Sequence, residues 1–176
     1  MNFFTKIILL PDAIVKAVAD IAGPCYVRLG RGAVEDVYDE NYKFELGKGK
    51  VLREGQKVAL VATGMMVQEA LKAADILSKE GILVTVVDMP CIKPIDEELI
   101  EKIAKFHEII ITCEEHNVYG GLGSAVSEVT SKKSPVRMEM MGMQDTFGES
   151  GTPNELLAKY GLNADHIVEM VKNEYR

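Results

Sequence analysis

Glu114, Glu115 and His116 stand in a row, and glycines follow at positions 120, 121 and 123. Carboxylates and imidazole are common acid–base and metal-binding groups. Glycines between a strand and a helix can let backbone N–H groups close on an anion. Neither chemistry is complete here. No second histidine or cysteine lies at ligand spacing, since His107 and His166 are distant in sequence. The glycine spacing is not G-x-G-x-x-G and no G-K-[ST] follows, so neither nucleotide fingerprint is met. The segment reads better as a tight turn into a helix, with Glu115, His116, Gly120, Gly121 and Gly123 serving as an interface or support loop.

Other chemistry-bearing residues are equally incomplete. Thr63-Gly64 ahead of a helix could hold a phosphate, but most strand–turn–helix junctions hold none. Ser124 and Ser127 have no G-x-S-x-G context for a nucleophile. Arg28 and Arg31 flank a strand end, where a planar guanidinium could fork onto a phosphate or carboxylate. Met138, Met140, Met141 and Met143 suit a core or interface better than a cofactor box. Cys25, Cys91 and Cys113 are odd in number and show no C-x-x-C spacing. Cys113 sits in an apolar run as a buried thiol, and a reduced, cytoplasmic setting is expected.

The elements that position these residues follow from periodicity. Residues 12–22 read as a helix with Ile14, Val15, Val18 and Ile21 on one face and Asp12 as its cap. Gly23-Pro24 ends it, and 25–30 reads as a strand. Residues 31–55 are polar and rich in glycine and tyrosine, a connector with one edge strand near Lys48–Leu52. Then strands at 57–62, 82–87, 108–113 and 136–141 alternate with helices at 67–79, after Asp96, and at 124–131. Residues 114–123 are read as loop, and helices at 154–160 and 164–172 close the chain. This alternation predicts a mainly parallel sheet between helix layers, with ligands or partners meeting the carboxyl edge of the strands.

Composition sets the outer bounds. The chain has 176 residues, 47% hydrophobic and 27% charged, with a net charge of −7, which describes an ordinary folded domain. Lys and Arg are interspersed with Glu and Asp, so no basic stripe exists and nucleic acid is not an expected partner. The apolar run at 7–10 is too short for a membrane span or a secretory segment, so no membrane partner is expected.

Several segments in order carry a family resemblance. GPCYVRLGRG (23–32) resembles the end of the pyrimidine-binding domain of transketolases and deoxyxylulose-phosphate synthases. GKGKVLREGQKVALVATGMMVQEAL (47–71) resembles the entry to the transketolase C-terminal domain. VVDMPCIKPID (86–96), TCEEHNVYGGLGSAVSE (112–128) and FGESGTPNELLAKYGLNADHIV (147–168) continue the match.

The resemblance implies a three-layer α/β/α fold with a mixed, mostly parallel five-strand sheet. Its antiparallel member would be the strand at 48–52. It divides the chain into a tail of the pyrimidine-binding domain (1–33), a connector (34–49) and a transketolase C-terminal domain (50–176). It implies two-carbon ketol transfer between sugar phosphates, with thiamine diphosphate and Mg²⁺ as cofactors of the complete enzyme. The family's cofactor-binding regions precede the part matched here, so no cofactor is expected on this chain alone and the isolated chain is expected to be inactive. Arg31 resembles the family's contact to the substrate phosphate. The expected partners are the missing N-terminal and pyrimidine domains, with a homodimer formed by the complete enzyme. Two alternatives stand beside this reading: the C-terminal part of a 1-deoxy-D-xylulose-5-phosphate synthase, and a standalone anion-binding or regulatory module using the turns at 63–64 and 120–123.

Overall fold

Apolar alternation sorts the side chains of the central strands onto two faces, and a helical layer covers each. The computed structural model describes residues 9–30, 37–39 and 42–175. Strand β2 (Val58–Ala62) is buried at every position. Its Val58, Leu60 and Ala62 join one core, while Ala59 and Val61 join the other. Strand β4 (Ile109–Asn117) does the same, with Ile109, Ile111 and Cys113 on the first side and Ile110 on the second. This period-two division is what a strand with both faces covered requires.

Helix α2 (Met66–Lys79) and helix α6 (Ala164–Glu174) cover the first face, burying Ala70, Ala74, Leu77, Ile167 and Val171. Helix α3 (Glu97–Phe106) and helix α4 (Leu122–Lys133) cover the second, through Ile100, Ile103, Val126 and Val129. The sheet has five strands in the order β1-β3-β2-β4-β5. Strands β3 (Thr85–Asp88), β2, β4 and β5 (Arg137–Met143) run parallel. Strand β1 (Lys50–Arg53) pairs antiparallel with β3 at the edge, with Lys50 opposite Asp88. The expected three-layer fold with one antiparallel edge strand is the observed one.

Asp96 caps α3 as its position predicts: Oδ1 accepts from the Leu99 amide at 3.1 Å. Its Oδ2 accepts from Gly49 N at 3.2 Å, which fastens the entry to β1 to the same helix start. At the opposite end of the sheet, Thr85 Oγ1 accepts from Gly55 N at 3.0 Å and lies 2.7 Å from His107 Nε2.

Several expected boundaries move, each for a pairing reason. Helix α1 spans Leu9–Ala19, so Asp12 sits inside its first turn and not at its cap. Residues 25–30 belong to no strand, and among the described residues no neighbouring strand pairs with them. Residues 82–84 precede β3, because Leu83 O accepts from Gln56 N at 2.8 Å outside the ladder. Strand β4 runs on to Asn117, where its ladder with β5 resumes opposite Met143 after an irregularity. Glu114, Glu115 and His116 are therefore strand residues and not loop residues.

Helix α1 differs from the others in what it packs against. None of its described residues is buried, and Val15 is 47% exposed. Tyr26 and Leu29 in the following segment are 90% and 55% exposed. The face that periodicity marks as apolar belongs to neither core cluster. Helix α5 (Pro153–Lys159) also buries no residue and lies over the first core through Leu157.

Candidate functional site at the carboxyl edge of the sheet

Extension of β4 past Cys113 turns Glu114 inward and Glu115 outward, by strand alternation. Glu114 is 2% exposed. Its Oε2 accepts from Leu122 N at 2.8 Å and its Oε1 from Gly123 N at 2.9 Å. These amides belong to the first turn of α4, which has no intrahelical acceptor for them. A carboxylate from the preceding strand thus caps the helix, where it also meets the favourable end of the helix dipole. The turn at 120–123 holds this internal anion, so the alternative of an external anion cradle there is not supported.

Glycine is required where this cap is closest. A Cβ on Gly121 would lie 2.0 Å from Glu114 Oε2, and one on Gly123 would lie 2.7 Å from Met140 Sδ. Gly120 has φ +77°, a conformation that favours glycine. Ser124 Oγ accepts from Gly120 N at 2.8 Å and donates to Val118 O at 3.0 Å, completing the turn.

The outward residues form a different surface. Arg28 Nη1 donates to Glu115 O at 2.8 Å and Nη2 to Glu115 Oε2 at 3.4 Å. That contact brings the 24–30 segment against the carboxyl edge. His116 is exposed, with Nδ1 2.9 Å from Asn117 O. Asn117 pins two loops, donating to Asp145 Oδ1 at 2.9 Å and accepting from Tyr119 N at 2.8 Å. The loops so held carry Tyr119 and Phe147, which are 73% and 99% exposed. Glu115, His116, Gly120, Gly121 and Gly123 all fall on this edge. Arg31 lies outside the described residues.

The turn at 63–64 also uses its own amides. Met66 N donates to Thr63 O at 3.3 Å, Val67 N to Gly64 O at 3.2 Å, and Thr63 N to Cys113 O at 3.1 Å. The methionines of β5 serve packing: Met138 Sδ accepts from Thr130 Oγ1 at 3.3 Å, and Met141 is buried in the first core. Cys25, Cys91 and Cys113 are free thiols. Burial, with Glu114 beside it, pushes the Cys113 thiol up to about 12.

One polar cluster was not legible in the sequence. Asp88, at the end of β3, is 1% exposed. Its Oδ2 accepts from the Tyr38 hydroxyl at 2.6 Å, and its Oδ1 is buried without a hydrogen-bond partner. Tyr38 and Tyr42 stack with ring centroids 3.7 Å apart. Lys50 Nζ lies 5.4 Å and 5.1 Å from the two ring centroids. The clue was an acidic residue closing an apolar strand run, but its partner lies 50 residues earlier in a polar stretch without periodicity.

The helix start best placed for an anion is capped by Glu114. Among the described residues, no group of three His, Cys, Asp or Glu side chains could hold a metal ion. An open cleft of about 450 Å³ is lined by Tyr42, Lys43, Glu45, Lys48 and Lys50 of the connector side. Among the described residues, no helix is long and apolar enough to cross a membrane.

Comparison with known proteins bears on most of the chain. Residues 47–167 match the family model described as transketolase, C-terminal domain. A protein of Methanocaldococcus jannaschii named a transketolase C-terminal section is 40% identical over 166 residues, covering 93% of this chain and 52% of the relative. A 1-deoxy-D-xylulose-5-phosphate synthase of Desulforudis audaxviator is 39% identical over 166 residues, covering 92% of this chain and 26% of the relative. A solved structure of a split gene transketolase, described as an inactive beta4 tetramer, superposes with a TM-score of 0.87 at 50% identity, covering 92% of this chain and 53% of that one. The chain spans about half the length, or less, of these relatives. It belongs to the transketolase C-terminal domain family.

Proposed function

We propose, starting from that family membership, that this chain is the C-terminal section of a thiamine-diphosphate-dependent transketolase, working only together with the part of the enzyme that precedes it. The complete enzyme would transfer a two-carbon ketol unit between sugar phosphates. Thiamine diphosphate and Mg²⁺ would bind the preceding part, the cofactor supplying the chemistry. Residues 1–33 would be the tail of the pyrimidine-binding domain, 34–49 the connector, and 50–176 the C-terminal domain.

The observation that carries this reading is the state of α1 and the segment after it. An apolar helical face outside both cores, followed by a segment belonging to no strand, supports this reading, because a helix that packs on a preceding domain would be uncovered without it. Arg28 holds that segment to Glu115, so the preceding domain would arrive at the carboxyl edge. There Glu115, His116, Gly120, Gly121 and Gly123 would support the contact, and Arg31 would meet the substrate phosphate once its domain is complete.

The chain alone would be inactive and would self-associate through its uncovered faces, and the complete enzyme would be a homodimer. The 50% identical neighbour, an inactive beta4 tetramer, supports both statements about the lone chain. The free thiols favour a reducing, cytoplasmic location. Light scattering at high concentration should show an oligomer; a clean monomer would count against the uncovered faces being interfaces.

A second reading keeps the family and changes the reaction. Similarity to the Desulforudis audaxviator synthase supports the C-terminal part of a deoxyxylulose-phosphate synthase. The two separate by assay of the complete enzyme. Ketol transfer from xylulose 5-phosphate to ribose 5-phosphate supports the first reading. Activity with pyruvate and glyceraldehyde 3-phosphate alone would replace it with the second.

A further inference from the structure

The connector that leads into β1 is held by a pair that costs energy to keep. Tyr38 covers Asp88 and donates one hydrogen bond to it, leaving Asp88 Oδ1 buried and unpaired. Burying an ionised carboxylate with one oxygen lacking a hydrogen-bond partner is unfavourable unless a cation or further donors compensate. The cation nearest in register, Lys50 opposite Asp88, lies over the rings of Tyr38 and Tyr42. Among the described residues, no ion pair reaches Asp88. A protonated Asp88 has no such penalty.

We infer that Tyr38 and Asp88 form a latch between connector and sheet, closing tightly on a protonated carboxyl and loosening when that carboxyl ionises. The latch acts where the chain passes from the α1 segment into the α/β layers, so it controls how firmly that passage is fixed. Opening would hydrate Asp88 and let its free oxygen find donors.

The charges around the latch are few. Tyr38 and Tyr42 face Asp88 from the connector, Lys50 from β1 and Cys91 from the turn after β3. Burial raises Tyr38, Tyr42 and Cys91 above their ordinary values, so all three stay protonated near neutrality. Asp88 is the member that titrates. Burial pushes it from 3.8 up to about 6, against the opposing hydrogen bond from Tyr38. A carboxyl raised in the closed form and ordinary in the open form favours closure at low pH. That advantage fades as pH rises from about 4 through about 6, and it is essentially gone by about pH 7.

Hydrogen exchange of the connector peptides at 37–49 tests this, with rates corrected for intrinsic pH dependence and β2 as internal reference. The opening constant should rise about tenfold from pH 5 to pH 7. Asp88→Asn keeps an acceptor for Tyr38 and removes the charge, so its profile should be flat and its connector better protected at pH 7 than in the wild type. Tyr38→Phe should expose the connector at pH 5, where the wild-type latch is closed, while β2 protection is retained. A flat wild-type profile, or the wild-type slope persisting in Asp88→Asn, would overturn the latch. Exchange does not read catalysis, so failure of this idea and failure of the transketolase reading are separable.

Discussion

Glu114 Oε2 and the amide of Leu122 lie 2.8 Å apart, so the strand that leads to α4 also caps it. The same carboxylate takes Gly123 N through its other oxygen. Strand end, turn and helix start are thereby tied together by one side chain. Glu114→Ala should leave two amides without this acceptor and destabilise the chain by about 3 kcal/mol, from the usual loss per charged hydrogen bond. Urea denaturation measures it; a loss under about 1 kcal/mol would mean that water replaces the carboxylate freely.

Gly120 and Gly121 are neighbours with different demands. Gly121→Ala would drive a Cβ into Glu114 Oε2 and should break the cap, costing several times more than Gly120→Ala. Gly120 has open space around it and needs only its positive φ, worth about 1 kcal/mol. Equal melting temperatures for the two variants would contradict the close packing at Gly121.

At the opposite edge, Thr85 links Gly55 to His107. Thr85→Val keeps the shape and removes both interactions, so a loss of about 1–3 kcal/mol is expected. Adding His107→Ala to Thr85→Val should cost less than His107→Ala alone in the wild type, because the shared bond is already gone. A double-mutant cycle measures this, and strict additivity would show the pair to be uncoupled.

The three thiols should separate by reactivity. Cys25 is exposed, Cys91 is half-buried with its thiol raised by burial, and Cys113 is fully buried at about 12. The thiolate is the reactive form. An aromatic disulfide reagent at pH 8 should modify Cys25 first, Cys91 slowly and Cys113 only on unfolding. Rapid native modification of Cys113 would contradict its place in the core.

The sheet was legible because its signals are local. The apolar runs at 58–62 and 109–113 and the glycine stops mark strands and helices without knowledge of their neighbours. What failed depends on partners. Residues 25–30 have strand composition, but strand formation needs a neighbour that the described chain does not offer. Glu114–Asn117 is polar enough to pass for loop, because its value lies in capping and pinning and not in apolar burial. The Glu114 cap could have been suspected from an acid at a strand end followed by Gly-Gly-x-Gly. The Asp88–Tyr38 pair could not, since its members share no period and no local motif.

A C-terminal section whose cofactor belongs to the preceding part of the enzyme should not bind that cofactor by itself. Titration calorimetry of the chain with thiamine diphosphate and Mg²⁺ tests it most directly. No heat beyond dilution is expected for the chain alone, with binding appearing once the preceding part of the enzyme is supplied. Micromolar binding by the isolated chain would contradict it.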